Sequence, residues 1–256
     1  MYISKRIDLL FMLACCLWLP AAAAAQLPVR TDVPVLCYHN IFTDEAHRNN
    51  IYFISRNRLN EQLKALADSG YHTILPDQLT AYLTRGIALP PKPIMITFDD
   101  TRAAHFHIAA PLLQQYGFKA VFFIMTVAIG KPGYMSATEI KQLNTAGHVI
   151  GAHTWDHPYL NPGGKMDWIK QLRQPKQTLE QITGKPVEYF AYPFGEWNDV
   201  IIRELAAAGY KAAFQLSGSA SPGKPLYTIR RIMPDGNWTG PVLQAQLKRV
   251  FARKAS

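Results

Sequence analysis

The chain has 256 residues, of which 48% are hydrophobic and 18% charged, a balance that excludes a disordered or fibrous protein and supplies enough apolar material for one sizeable core. Its formal charge of +9 suits contact with anionic envelope polymers or lipid headgroups, and three cysteines are too few for a disulfide scaffold. Residues 1–25 begin with Lys5 and Arg6, continue through a short apolar stretch and end in a run of alanines, the layout of a secretory signal peptide cut near Ala25. The competing readings are an uncleaved anchor, against which Pro20 interrupts a stretch short of the roughly 20 residues a bilayer span needs, and a lipoprotein site at Cys15 or Cys16. Cleavage leaves residues 26–256 as one domain bound for the periplasm or the cell exterior. That domain has Cys37 as its one cysteine and no transmembrane span.

Along the remaining chain, short β-branched and aromatic runs alternate with helical patterns. Val33–His39, His72–Leu75, Pro93–Phe98, Ala120–Met125, Val149–Thr154, Glu188–Phe194, Ala212–Leu216 and Tyr227–Met233 read as strands. Arg58–Gly70, Ala109–Gly117, Ser136–Gly147, Trp168–Gly184 and Asp199–Gly209 read as amphipathic helices, each closing on a glycine suited to a left-handed C-cap. Repeated β-then-α units build a parallel sheet with helices outside. No phosphate-binding glycine fingerprint follows the first strand, so a doubly wound nucleotide fold loses ground; separately, no nucleic-acid partner is expected. The expected architecture is a distorted parallel (β/α) barrel of about seven to eight strands, with functional groups at the C-terminal strand ends.

Two motifs fall at such ends. The run PIMITF stops on Asp99 and Asp100, and two adjacent carboxylates after a buried strand call for a compensating cation. In HTWDH, His153 and His157 are four positions apart, which sets both imidazoles on one side of a turn. Two histidines and one carboxylate make a three-ligand site with an open position for water, typical of catalytic zinc. Cobalt, nickel or iron would suit the same donors. One aspartate would bind the ion and the other remain a free base. Aspartate caps on the following helix and a solvated histidine turn are the bland alternatives.

With TFDD, HTWDH and YPFG in this order, residues 33–233 resemble the polysaccharide deacetylases of carbohydrate esterase family four. The opening VPVLCYHNI and the segment LPPKPIMITFDD are similar to the branch of poly-β-1,6-N-acetylglucosamine deacetylases. The resemblance implies a metal-dependent hydrolase that removes N-acetyl groups from N-acetylglucosamine units of an envelope or extracellular polysaccharide, with no obligate protein partner. It also implies Asp99 as general base, Asp100 as metal ligand beside His153 and His157, and the amide of Phe194 as an oxyanion donor. Other readings are a non-catalytic polysaccharide-binding protein and a hydrolase of cyclic imides or other small amides.

Three departures from the family pattern stand out. Thr101 replaces the usual glycine after the aspartates, and Ala191 stands where many members carry an arginine. Arg231, in the last predicted strand, is the candidate substitute for orienting Asp99. No histidine follows His157, so His39 at the end of the first strand is the candidate general acid. His105 and His107 read as helix-face residues and Cys37 as a small core residue. Tyr192, Phe194 and Trp155, with Trp197, offer aromatic faces for sugar rings, or simply pack.

Overall fold

The computed structural model describes residues 32–43, 49–160, 163, 165–216 and 218–251; the predicted signal peptide lies outside them. Its strands are β1 (Val35–Tyr38), β2 (Asn40–Phe42), β3 (Phe53–Ser55), β4 (His72–Thr73), β5 (Pro93–Phe98), β6 (Val121–Ile124), β7 (Val149–Ala152), β8 (Tyr189–Ala191) and β9 (Ala212–Phe214). An all-parallel sheet runs β1-β5-β6-β7-β8-β9, with β4 beside the start of β5, and β2 and β3 form a separate parallel pair. The predicted strand Tyr227–Met233 is instead a bridging segment. It pairs with β9 through Ile229 and with β1 through Ile232, changing neighbours too soon to build a ladder with either. Cys37 N–H donates to Ile232 O at 2.8 Å and Gln215 N–H to Ile229 O at 2.9 Å, so this segment closes a distorted (β/α) barrel.

All five predicted helices occur, as α1 (Arg56–Asp68), α3 (Ala110–Gln115), α4 (Ala137–Thr145), α5 (Gln174–Thr183) and α6 (Asp199–Ala207), each ending before the predicted closing glycine. Two more were not read from the sequence, α2 (Pro76–Arg85) and α7 (Gly240–Phe251). The signals for α2 were present: Pro76 at the first position, the Gln78 side chain accepting from Leu75 N–H, and Gly86 left-handed at the end. Wide π turns, His105–Ala109 and Ile169–Arg173, lead into α3 and α5. Each precedes a proline, Pro111 or Pro175, whose ring would strike the carbonyl four residues back and which has no N–H to give. The chain widens instead, and Ala110 N–H donates to His105 O, Gln174 N–H to Ile169 O.

Strand alternation divides the core in two. Leu36, Tyr38, Ile96, Phe98, Phe122, Phe190 and Ala213 pack outward with helix residues such as Leu63, Leu113, Leu143, Leu179 and Leu205. Val35, Met95, Val121, Phe123, Tyr189, Ala191, Ala212 and Phe214 form the barrel interior. Gly151 faces Phe123 there, and a Cβ at that position would lie 2.5 Å from the ring. The inward parity continues beyond the apolar layer through Cys37, Thr97, Asp99, His153 and Arg231, which carries functional groups to the top of the barrel.

One buried histidine couples this fold to pH. His148 Nδ1 accepts from Ala120 N–H at 3.1 Å, and burial, with help from Lys119, lowers its pKa to about 4 from an unfolded value of 6.5. Because the folded pKa is the lower one, the unfolded chain binds the proton first and stability falls as pH drops from 6.5 towards 4. A His148→Asn variant, which keeps an acceptor for Ala120, is expected to show a shallower loss of Tm across that window in scanning calorimetry.

Candidate active site

Asp99 follows β5 and is 1% exposed, yet it is charged and fully compensated. Arg231 Nη1 donates to Asp99 Oδ1 and Nη2 to Oδ2, both at 2.8 Å. Two further donors of this fully buried guanidinium go to Gln215 O at 2.9 Å and Thr97 Oγ1 at 3.1 Å, and its face lies 5.4 Å from the Phe123 centroid. Burial alone would push the Asp99 carboxyl up; the Arg231 charge, followed by His153, reverses this and holds it well below the usual carboxylate range. Arg231, which the sequence could offer only as a candidate, therefore sits bidentately on Asp99.

Beside this pair, Asp100, His153 and His157 present ligand atoms within 4.8 Å of one another. Nε2 of His153 and Nε2 of His157 each lie 3.7 Å from Asp100 Oδ1. His153 Nδ1 is 2.8 Å from Ala191 O, so Nδ1 carries the proton and the Nε2 lone pair turns to Asp100. His157 is held by its own N–H, which donates to Thr154 Oγ1 at 2.9 Å. The donor set and its supporting carbonyl fit a divalent cation with an open coordination position.

The third part of the site is His39, just past β1. Its imidazole, Cys37 Sγ and an Asp99 oxygen lie within 4.8 Å of one another, and Cys37 donates S–H to Asp99 Oδ2 at 3.5 Å. Burial lowers the His39 pKa against the pull of Asp99, and raises that of the Cys37 thiol well above its ordinary value. His39 Nδ1 is buried without a hydrogen-bond partner. Thr97, Gln215 and Cys37 were not read from the sequence as parts of this site. The signal was there for Thr97, two positions before Asp99 on the same face, and for Cys37, its register partner across β1 and β5.

Two of the predicted aromatic contacts are corrected. Tyr192 is 1% exposed, packs with the outward core and donates its hydroxyl to Tyr227 O at 2.9 Å. Strand parity with Phe190 turns it away from the site. The Trp155 ring lies 3.8 Å from Lys170 Nζ and lines a cleft of about 380 Å³ with Gln174, Gln177, Thr178 and Gln181 of α5, apart from the ligands. Phe194, with φ 60°, remains at the site, its ring edge-on to His157 at 4.6 Å. Trp197 donates to Gln215 Oε1 at 3.1 Å. His105 donates Nε2–H to His39 O at 2.6 Å, and exposed His107 pairs with Glu139 at 2.8 Å. Thr101 is buried at φ 61°, donates to Met125 O at 3.2 Å and accepts from Met125 N–H at 2.7 Å.

The chain and its fold are similar to known proteins. The polysaccharide deacetylase family model covers residues 86–213, half of the sequence, and the chain belongs to that family. It is 26% identical over 224 residues to the poly-beta-1,6-N-acetyl-D-glucosamine N-deacetylase of Staphylococcus aureus strain MRSA252, with 77% of each chain covered. IcaB from Ammonifex degensii superposes with a TM-score of 0.70 at 26% identity, covering 85% of this chain and 98% of that one. The Streptococcus pyogenes deacetylase PplD shares the fold with a TM-score of 0.76 at 24% identity, over 83% and 96%.

Removing Arg231 would strand a buried carboxylate. Arg231→Leu is expected to destabilise the protein by about 3–5 kcal/mol in urea unfolding, and adding Asp99→Asn to return part of that loss in a double-mutant cycle.

Proposed function

We propose that this protein is an exported, metal-dependent hydrolase that removes N-acetyl groups from N-acetylglucosamine units of an envelope or extracellular polysaccharide. The observation that carries this reading is the juxtaposition of an ionised, arginine-held Asp99 with the Asp100, His153 and His157 triad. Family membership and the similarity to a poly-β-1,6-N-acetylglucosamine deacetylase support the substrate class. Export rests on the composition of residues 1–25, and no helix among the described residues is long and apolar enough to cross a membrane.

Asp100, His153 and His157 would hold the ion, with zinc favoured by the donor set. When bound, it supplies Lewis acidity to a water molecule and to the acetamide carbonyl. Asp99 accepts a proton from the water as its oxygen bonds to the carbonyl carbon. A carboxylate held so low is always in its base form at neutral pH but is a weak base, so the acidity of the water has to drive the transfer. The Phe194 N–H would donate to the developing oxyanion. As the C–N bond breaks, the proton taken up by Asp99 passes through His39, whose imidazole lies within 4.8 Å of Asp99, to the sugar nitrogen, which leaves both side chains as they began. Acetate and a free amine leave.

Acetate release from N-acetylglucosamine oligomers by zinc-loaded protein tests this directly. It is expected to vanish with a chelator, return with zinc, and fall at least about a hundredfold in Asp99→Asn with zinc content unchanged. Saccharide binding without acetate release would leave a non-catalytic binding protein. Replacing His39 by Gln should lower kcat by about a hundredfold or more while zinc affinity is retained; an unchanged kcat would remove His39 from the chemistry.

A further inference from the structure

Two exposed aromatic rings at the edge of the metal triad have no part in the chemistry above. Tyr159 lies two residues past His157 and is 58% exposed; Phe194 is 44% exposed. Their rings stack with centroids 3.8 Å apart and planes 11° from parallel. Phe194 in turn meets His157 edge-on at 4.6 Å, and His157 meets His153 at 4.7 Å. The series of rings therefore begins on a candidate ligand inside the barrel mouth and ends in solvent at Tyr159.

The backbone supports this placement at a cost. Phe194 and His157 both adopt left-handed φ values near 60°, uncommon for residues of this size, and strain of this kind persists where the surrounding structure imposes it. Core packing does not explain the pair, because neither ring belongs to the buried clusters. Stacked aromatic rings form a flat, pre-ordered surface with few torsions to freeze, and their negative faces suit the C–H-rich face of a pyranose ring.

We infer that the exposed surface of the Tyr159–Phe194 stack is a sugar-binding platform that seats a pyranose ring of the acetylated saccharide next to the triad. The identity of the saccharide rests on the deacetylase reading; the platform itself rests on the exposed stack. Tyr159 is then a specificity-determining residue, and its contact with the sugar ring is the same before and during reaction, so it acts on KM rather than kcat.

The test compares zinc-loaded wild type, Tyr159→Ala and Tyr159→Phe on N-acetylglucosamine pentamers of β-1,4 and β-1,6 linkage, with zinc dissociation constants measured alongside. Tyr159→Ala is expected to raise KM about three- to tenfold with kcat and zinc affinity within about twofold of wild type, and Tyr159→Phe to behave as wild type. An unchanged KM overturns the platform. So does a fall in kcat and zinc affinity at constant KM, which would make the stack a buttress for His157. If wild type releases no acetate from either pentamer, the deacetylase reading fails on its own. NMR titration with the same pentamers then decides the platform: weaker binding by Tyr159→Ala supports it, and equal binding or none by wild type overturns it.

Discussion

Inside the barrel, where water cannot screen them, the Arg231 guanidinium and the Asp99 carboxylate neutralise each other through two 2.8 Å bonds. Neither charge is tolerable there alone, since a buried unpaired ion costs several kcal/mol. The arginine comes from the segment that closes the barrel between β9 and β1, and the aspartate from the end of β5. Closing the ring and orienting the carboxylate are thus one event. The pair need not add much net stability over an apolar replacement, so its value lies in holding Asp99 ionised and fixed in direction.

Around that pair, backbone strain is concentrated. Asp100, Thr101, Thr154, His157 and Phe194 are five of the six described non-glycine residues with positive φ, and all lie in or next to the motifs at the rim. Each such conformation costs on the order of 1–3 kcal/mol and has to be imposed by its surroundings. At Thr101 the means are visible: its hydroxyl exchanges two hydrogen bonds with the Met125 backbone, tying the aspartate turn to the end of β6. The left-handed turn that a glycine would take freely is here held by a side chain. His153 is secured by a carbonyl of β8 and His157 by a threonine of its own turn, so the ligands are oriented by bonds to neighbouring strands and turns.

The alternating β-then-α order and the strand-end positions of Asp99, Asp100, His153 and His157 were legible in the sequence because they depend on local periodicity and on spacings of a few residues. Strand parity was equally available, and it decides Tyr192: if Ala191 and Asp99 face inward, Tyr192 must face the helices. What no local pattern contained was the meeting of residues far apart in the chain. The bond from Arg231 to Asp99 spans 132 positions and exists because the barrel closes; Trp155 lies against Lys170, and Tyr159 meets Phe194 because loops after β7 and β8 lie side by side. The sequence by itself determined which groups stand at the strand ends, since backbone geometry repeats every two or 3.6 residues. Only the tertiary structure decided which of them touch, because contact across a barrel depends on how the whole ring shuts.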